Sequence, residues 1–405
     1  TKMLKSQNAK YNQYINVVML MYALFLPLSR AGIVFFSALL MLLWILEGNF
    51  KSKYLLMRKS KVILALVAFI SFNLLSLLWT DNIPVAFQYI KKYWYFLPLV
   101  IMFTSIKKEY IAKTLSAFLL GMFISELISY GVFFELWEFK HATVENPTPF
   151  MHHIEYSTFL AFTALVLLGR IFNAEEIKYK LLYMVFFVTM TGNMFLTAGR
   201  TGQIAFILGL FVLAMISFKN KLKAFLIFTV LSTTLLVFAF YLSTTFNQRI
   251  IKAKENLVSV VEDKNYCSSW GARVGAWVVS KDIIVEHPIV GIGIVDNMQE
   301  FYRLIDTQYK EMSCGGNTLV HMHNQYLQIL TQLGFIGLVI FLSIFYMLAK
   351  VQIREREYQN IKYIYLTVIL FAFVPEVILH RQFNMALLAL VVGLLLAQNR
   401  VEHEV

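Results

Sequence analysis

Charge is scarce in this sequence. Only 15% of its 405 residues are Asp, Glu, Lys or Arg, whereas 59% are hydrophobic and the mean hydropathy is +0.64. Soluble domains contain roughly 25% charged residues, so this composition excludes an ordinary soluble protein. The hydrophobic residues also do not alternate with polar ones at a period of two, which excludes a membrane β-barrel. The sequence therefore predicts an all-α polytopic membrane protein.

The hydrophobic residues fall in about twelve long runs, and a helix needs about 20 apolar residues to cross a membrane. The runs lie near residues 14–28, 32–46, 62–79, 93–104, 111–137, 154–172, 179–196, 203–218, 222–242, 334–350, 363–379 and 383–397. We therefore predict about twelve transmembrane helices that form a single membrane-embedded domain over residues 1–405.

One long segment, residues 243–320, separates the ninth and tenth predicted helices. Its stretch "SSWGARVGAWVVSKDIIVEHPIVGIG" has apolar residues at helical spacing, such as Val274, Trp277 and Val278, followed by a break at Pro288. This pattern predicts a large loop built of amphipathic helices at the outer face of the membrane.

The positions of Lys and Arg predict the orientation of the chain. Short cytoplasmic loops are rich in these residues, and the rule is best satisfied when both termini are cytoplasmic and the large loop is periplasmic. The net charge of +12 then follows from the topology and from contacts with membrane lipids, and it does not require a nucleic-acid partner.

Cysteine is almost absent. The two cysteines, Cys267 and Cys314, both lie in the predicted outer loop, where an oxidising compartment allows a disulfide. Such a bond would contribute about 4 kcal/mol in the chain-entropy model. The alternative is a pair of free thiols.

Three arginines lie in short outer turns, where the topology rule disfavours positive charge. They are Arg30 in "PLSRAG", Arg200 in "TAGRTG" and Arg381 in "LHRQF". An arginine at membrane depth costs about 2.5–3.5 kcal/mol. Arg30 and Arg381 could simply anchor helix ends at lipid phosphates, whereas the small residues around Arg200 favour close approach of a ligand.

A fourth arginine, Arg273 in "WGARVGAW", has similarly small neighbours. Two guanidinium groups can each grip one phosphate through paired N–H donors, a geometry that lysine cannot reproduce. The pattern therefore indicates a pyrophosphate ligand for Arg200 and Arg273.

The stretch "LVHMHNQYLQILTQLG" is unusually polar for the start of an apolar helix. A helix that begins near His323 would carry a polar stripe facing the bundle interior, formed by His321, Gln325, Gln328 and Gln332. His323 would then lie at the helix N-terminus beside Asn324, where a neutral imidazole can act as a general base. The alternative is a structural histidine.

A metal site is an alternative to these roles. His321, His323, His152 and His153 are all predicted outside and could hold zinc. Their spacing is not a strong signature, the nearest acidic residue is Glu155, and no Asp-x-Asp pair is present to hold a divalent ion on a diphosphate. We therefore expect no metal and no other cofactor. "VGIGIVDN" lacks the continuation of a phosphate loop and predicts a turn between helices.

Several motifs together resemble the bacterial O-antigen ligase and polymerase superfamily. They are "TAGRTG", "GARVGAW" followed by "HPIVGIG", and "HMHNQYLQILTQLGFIGL", and the resemblance covers about residues 190–345. It implies that Arg200 and Arg273 hold the pyrophosphate of an undecaprenyl-linked glycan and that His323 activates the acceptor hydroxyl. It also implies a metal-independent, inverting membrane glycosyltransferase. "MHHIEYSTF" departs from the pattern at His152 and His153.

We therefore expect an O-antigen ligase of the bacterial inner membrane that transfers the glycan from undecaprenyl diphosphate to a sugar hydroxyl of lipid A-core on the periplasmic side. Further residues are expected to contribute to substrate binding: Arg30, Arg381, His321, Asn324 and Gln325. An O-antigen polymerase and a protein O-oligosaccharyltransferase, which use the same donor, are alternatives. A lipid or glycan transporter is an alternative of a different class, but the inverted repeats and broken helices typical of transporters are not evident in the sequence.

Overall fold

The computed structural model describes residues 2–313 and 319–403, and in these residues the protein is helical, with no β-strand. The first eight α-helices are α1 (Lys2–Phe25), α2 (Arg30–Glu47), α3 (Phe50–Lys59), α4 (Lys61–Leu75), α5 (Ile83–Ile90), α6 (Leu97–Ser105), α7 (Lys108–Phe133) and α8 (His153–Asn173). The remaining nine are α9 (Ile177–Leu196), α10 (Arg200–Ser217), α11 (Lys221–Leu242), α12 (Thr244–Glu262), α13 (Ser269–Glu286), α14 (Asn297–Thr307), α15 (Gln325–Lys350), α16 (Arg356–Ala372) and α17 (Gln382–His403). The predicted all-α fold is confirmed.

Nine helices of the described residues are long and apolar enough to cross a membrane: α2, α4 with the turn that follows it, α7, α8, α9, α10, α11, α15 and α17. The other three predicted spans coincide with α1, with the short α6 and with α16, which has 17 residues. The protein is thus a multi-pass membrane protein, and the count of twelve spans stays a prediction.

Two helices form the centre of the bundle. In α17 and α8, 89% and 83% of the apolar stretch is buried within the protein, compared with 11% in α11. A helix that is apolar all round must be buried in protein or in lipid. The functional residues considered below lie around the first turns of the central helices, where the bundle ends on one face.

The segment between α11 and α15 is mainly helical, as predicted, and consists of α12, α13 and α14. Helices α13 and α14 share a small hydrophobic core with the chain that leads into α15, formed by Ala276, Val279, Ile283, Phe301, Leu304, Ile305 and Met322. The Ser268 hydroxyl accepts a hydrogen bond from the Gly271 amide and fixes the start of α13. Cys314 lies outside the described residues, so its bond to Cys267 stays a prediction.

Helix α15 is broken at Gly334, the residue at which the sequence predicts the tenth span to begin, and this break is not evident in the sequence. Gly334 has a φ of +64°, a conformation that favours glycine. The "HPIVGIG" segment fills the break: the Phe335 amide donates to the Pro288 carbonyl (2.9 Å), and the Ile292 amide donates to the Thr331 carbonyl (3.0 Å). The segment is a turn between helices, as predicted.

The start of α15 also differs from the prediction. The helix begins at Gln325, and Asn324 caps it by accepting hydrogen bonds from the amides of Tyr326 and Leu327. His323 precedes the cap with a φ of +48°. His321 therefore lies outside the helix and is not part of a helical stripe.

The predicted span over residues 363–379 is too long. Helix α16 ends at Ala372, and residues 373–381 form an irregular connection with one short 3₁₀ turn, Ile378–His380. Pro375 explains the early end, since proline disfavours a helical conformation at the residue before it and has no N–H to donate. This connection carries Glu376 and Arg381.

Candidate functional site

The carboxylate of Glu376 is the centre of a charged cluster, although its side chain is only 1% exposed. Its Oε2 lies 3.2 Å from Arg273 Nη2. Its Oε1 lies 3.1 Å from His323 Nδ1 and 3.2 Å from His321 Nε2. The structure thus brings three residues singled out in the sequence onto one acidic residue that was not.

Burial by itself raises the pKa of the Glu376 carboxyl. The His323 imidazole, 3.1 Å away, together with His321 and Arg273, more than offsets burial and lowers this pKa to about 2. The carboxylate is therefore ionised at neutral pH. A buried negative charge in this position can hold two imidazole N–H groups at once.

The connection that carries Glu376 is fixed from both sides. The Gln325 amide donates to the Phe373 carbonyl (2.8 Å), and its side-chain Oε1 accepts from the Leu379 amide (3.1 Å). Arg273 Nε donates to the Pro375 carbonyl (3.2 Å). Gln325 therefore positions the acidic residue, and its Oε1 faces the backbone rather than an open cavity.

The other two glutamines of the supposed stripe are also used inside the protein. Gln328 Oε1 accepts from the Met322 amide (2.9 Å), which holds the residue between the two histidines. Gln332 Oε1 accepts from the Tyr89 hydroxyl, and its Nε2 donates to Asn297 Oδ1. These buried side chains hold α5, α14 and the segment before α15 against α15.

The contacts of the two histidines define their tautomers. His321 Nδ1 accepts from the backbone amide of His323 (3.3 Å), so the proton of a neutral His321 is on Nε2, which faces Glu376. Burial, and then the charge of His323, lower the pKa of His321 to about 4. His321 is therefore neutral at pH 7.

His323 faces the same carboxylate with Nδ1, and its side chain is 21% exposed. A proton on Nδ1 leaves a lone pair on Nε2. Trp277 Nε1 donates to the His323 carbonyl (3.4 Å) and ties the residue to α13. A buried carboxylate behind one ring nitrogen and a basic nitrogen in front is the arrangement that general-base catalysis requires.

Arg200 is the first residue of α10. A Cβ at Gly202 would lie 2.1 Å from the Ser157 backbone, so the small residues beside Arg200 serve close packing of α10 on α8 and do not leave open space. The guanidinium Nη1 is buried and has no hydrogen-bond partner among the described residues. The charges of Arg249 and Arg273 act on Arg200.

Three guanidinium groups thus lie in one region, and neither Arg200 nor Arg249 forms an ion pair in the described part of the chain. Mutual repulsion of unpaired cations is unfavourable unless an anion binds between them. Arg273 differs, because its donors are directed at Ser269, Pro375 and Glu376. Arg200 and Arg249 are consequently the more available anion ligands.

Arg381 and Arg30 lie at the edge of the cluster. Arg381 is 3.9 Å from both the Glu155 and the Glu376 carboxylates, the outer limit of an ion pair. The Arg30 guanidinium lies 5.6 Å from the centre of the Phe383 ring. Both charges act on His152, whose pKa is lowered by burial and then by Arg381.

Comparison with known proteins matches residues 185–342 to the family described as O-antigen ligase. Residues 185–342 are therefore similar to the O-antigen ligase superfamily. An uncharacterized protein of Haemophilus influenzae is 26% identical over 223 residues, which are 53% of this chain and 55% of that protein. The chain therefore spans about half the length of the curated relative it matches.

The O-antigen ligase region contains five residues of the cluster: Arg200, Arg249, Arg273, His321 and His323. Glu376 and Arg381 lie beyond it. Glu376 was missed because it lies within an apolar run, residues 363–379, that the sequence predicts as a span, although an acidic residue at membrane depth is itself a signal of function. Arg249 was missed because it lies among several charged residues of the long outer segment.

His321, His323 and Glu376 also form a group that could hold a metal ion, since their ligand atoms lie within 4.8 Å of one another. Two imidazoles and a carboxylate suit zinc. The nearby guanidinium groups oppose it, because Arg273 already neutralises Glu376 and a divalent cation would add further positive charge. The donor set fits a metal, but the surrounding charge does not.

Proposed function

We propose that this protein is a membrane glycosyltransferase of the O-antigen ligase type, located in the bacterial inner membrane with both termini cytoplasmic and the His323 site facing the periplasm. The donor is a glycan linked to undecaprenyl diphosphate, and the acceptor is a sugar hydroxyl of lipid A-core. The observation that carries the proposal is His323 Nδ1 held 3.1 Å from a buried carboxylate, near Arg200 and Arg249, which form no ion pair in the residues that the structure describes.

The reaction needs a base for the acceptor and a clamp for the leaving group. His323 Nε2 removes the proton from the acceptor hydroxyl as its oxygen attacks the anomeric carbon. The bond from that carbon to the diphosphate oxygen breaks, and its electron pair leaves with the diphosphate. Attack opposite the leaving group inverts the anomeric configuration. Glu376 stabilises the imidazolium that forms.

The arginines stabilise the negative charge of the leaving diphosphate. Arg200 and Arg249 have guanidinium groups available to accept it, and Arg273 adds positive charge while it holds Glu376. Charge-assisted hydrogen bonds of this kind stabilise a leaving diphosphate directly. We assign Arg30 and Arg381 to the edge of the same substrate site, because their charges reach His152 beside it.

We propose that the reaction proceeds without a metal, because the guanidinium groups supply the positive charge that a divalent ion would otherwise provide. Transfer by protein treated with EDTA should equal transfer by untreated protein. Loss of activity with EDTA and recovery with zinc would instead assign His321, His323 and Glu376 as metal ligands.

Reconstitution tests the function. Purified protein in liposomes should join a lipid-linked glycan to lipid A-core, and it should not lengthen a lipid-linked glycan or glycosylate a protein. Chain extension would identify an O-antigen polymerase, and protein modification would identify a protein O-oligosaccharyltransferase. Movement of the donor between leaflets without any new glycosidic bond would identify a transporter, for which the break at Gly334 is the one favourable feature.

A further inference from the structure

A second charged region lies at the other end of the bundle, around a cavity of about 830 Å³. Its walls come from the start of α4 and the ends of α15 and α17, with Phe103 of α6. Helix α15 starts beside His323 and ends at Lys350 in the cavity wall, and the part after the break at Gly334 alone spans about 24 Å at 1.5 Å per residue. The cavity and the His323 site therefore lie on opposite faces of the membrane.

The cavity is basic at its rim and apolar below. Its basic lining residues are Lys59, Lys61, Lys350, Arg400 and His403, and no carboxylate is among the lining residues. The apolar wall is formed by Leu56, Val62, Phe103, Met347 and Leu396. A site with this division of surface suits an amphiphile with an anionic head group and a hydrocarbon tail.

Two lysines of the rim, Lys59 and Lys61, flank the start of α4. Lys59 and Lys61 are exposed and form no ion pair with a carboxylate in the parts of the chain that the structure describes. Lys350 Nζ lies 5.4 Å from the centre of the Tyr346 ring, which is itself part of the rim. The arrangement concentrates positive charge around one opening.

The position of two lysines at the start of α4 also favours a bound anion. Lys61 is the first residue of α4, where the helix dipole is positive and favours acidic residues. Lys59 lies two residues earlier, so two like charges flank the Ser60 cap. An anion bound at this point would relieve both the repulsion between the lysines and their conflict with the dipole.

The rim also opens toward lipid. Tyr346 lines the cavity and is 57% exposed on α15, a helix long and apolar enough to span the membrane. A head group can therefore enter from the adjoining leaflet while its chains stay in the hydrocarbon region. A free anion would gain no hydrophobic contact with the apolar wall.

We propose that this cavity binds the head group of an anionic phospholipid from the leaflet opposite the His323 site. The phosphate lies against Lys59 and Lys61, and the first part of an acyl chain packs along Leu56 and Met347. Basic pockets between transmembrane helices are suited to such head groups. The proposal does not depend on the transferase reaction.

Native mass spectrometry of the purified protein with phosphatidylglycerol or phosphatidylcholine tests the site. Wild-type protein should retain phosphatidylglycerol in preference to phosphatidylcholine. The double variant Lys59→Gln/Lys61→Gln should bind phosphatidylglycerol about 25-fold more weakly, since each cation near an anionic surface contributes roughly a factor of five. Unchanged affinity in this variant would overturn the proposal.

A matched control removes the same charge elsewhere on this face. Lys219→Gln/Lys223→Gln changes two exposed lysines, one in the connection between α10 and α11 and one in the first turn of α11, and should leave phosphatidylglycerol binding unchanged. An equal loss in the control pair would mean that only net charge matters and that no site exists. Should the first double variant fail to fold, Lys350→Gln alone should lower the affinity about fivefold, and no change would count against the site.

Inorganic phosphate distinguishes a lipid site from a free-anion site. Phosphate in moderate excess should not displace phosphatidylglycerol, because it cannot use the apolar wall. Leu56→Gln should weaken binding of the lipid and leave any binding of phosphate unchanged. Displacement of the lipid by phosphate at comparable concentration would show that the cavity binds free anions, contrary to the proposal.

Discussion

Replacement of Glu376 by glutamine would isolate the charge behind His323. When His323 takes up a proton, an imidazolium faces the carboxylate over 3.1 Å. At an effective dielectric constant of about 20, two unit charges at that distance attract by roughly 5 kcal/mol. Glutamine keeps the size of the side chain but removes the attraction, and its amide can also turn an N–H toward Nδ1 and favour the wrong tautomer of His323.

The full attraction is not expected to be lost. The His323 side chain is 21% exposed, so water screens part of the interaction. About half of it, roughly 3 kcal/mol, corresponds to a decrease in kcat on the order of 100-fold. The KM for the lipid-linked donor should change little, because Arg200 is not altered.

Steady-state transfer in liposomes with varied donor concentration measures both parameters for Glu376→Gln. Glu145→Gln changes an exposed acidic residue in the connection between α7 and α8; it is the control and should have wild-type kinetics. Thermal melts of both variants check that the fold persists. A wild-type kcat in folded Glu376→Gln, or a loss confined to donor KM, would refute the role given to this carboxylate.

Three further predictions concern binding, pH and the break in α15. Arg200→Ala should raise donor KM by about 10- to 100-fold, as expected for loss of a charge-assisted hydrogen bond of about 1.5–3 kcal/mol. Arg200→Lys should not restore the wild-type KM, because lysine lacks the paired donors of arginine. Titration of both variants with donor measures the two values. The pKa of His321 is lowered from 6.5 to about 4, so between these pH values the unfolded state binds more protons than the folded state. The free energy of unfolding therefore decreases as the pH falls through this range, by up to about 3 kcal/mol. His321→Asn should flatten the dependence of Tm on pH over this range, and an unchanged slope would contradict the lowered pKa. Gly334→Ala should lower the free energy of unfolding by about 1–3 kcal/mol, since the φ of Gly334 is +64° and a Cβ would lie 2.3 Å from the Ile289 carbonyl oxygen. In the control variant Gly169→Ala the new Cβ meets nothing within 4 Å, and the free energy of unfolding should stay unchanged. Thermal melts of the two variants measure the difference.

The fold class could be predicted from composition, because long apolar runs permit few alternatives. The residues at which the helices begin and end could not be predicted in the same way. Asn324 caps α15 and Pro375 follows the end of α16, and both signals are visible in the sequence, but the apolar pattern continues past them. The break at Gly334 depends on the distant "HPIVGIG" segment, whose hydrogen bonds replace those of the helix.

The site shows a similar division. Arg200, Arg273 and His323 could be singled out because they are polar at positions where the sequence is otherwise apolar. Glu376 could not be assigned to them, since it lies 53 residues after His323 in the numbering and only tertiary packing brings the two together. Gln325 was predicted to contribute to substrate binding, but its side chain holds the backbone of the Glu376 connection.

Single-turnover transfer by His323→Ala, measured beside donor binding, tests the central claim most directly. Loss of a general base should slow transfer by about 10²- to 10⁴-fold while donor affinity stays within a few-fold of wild type. His287→Ala, which removes an exposed histidine at the end of α13, should transfer at the wild-type rate. Wild-type transfer by folded His323→Ala would contradict the account.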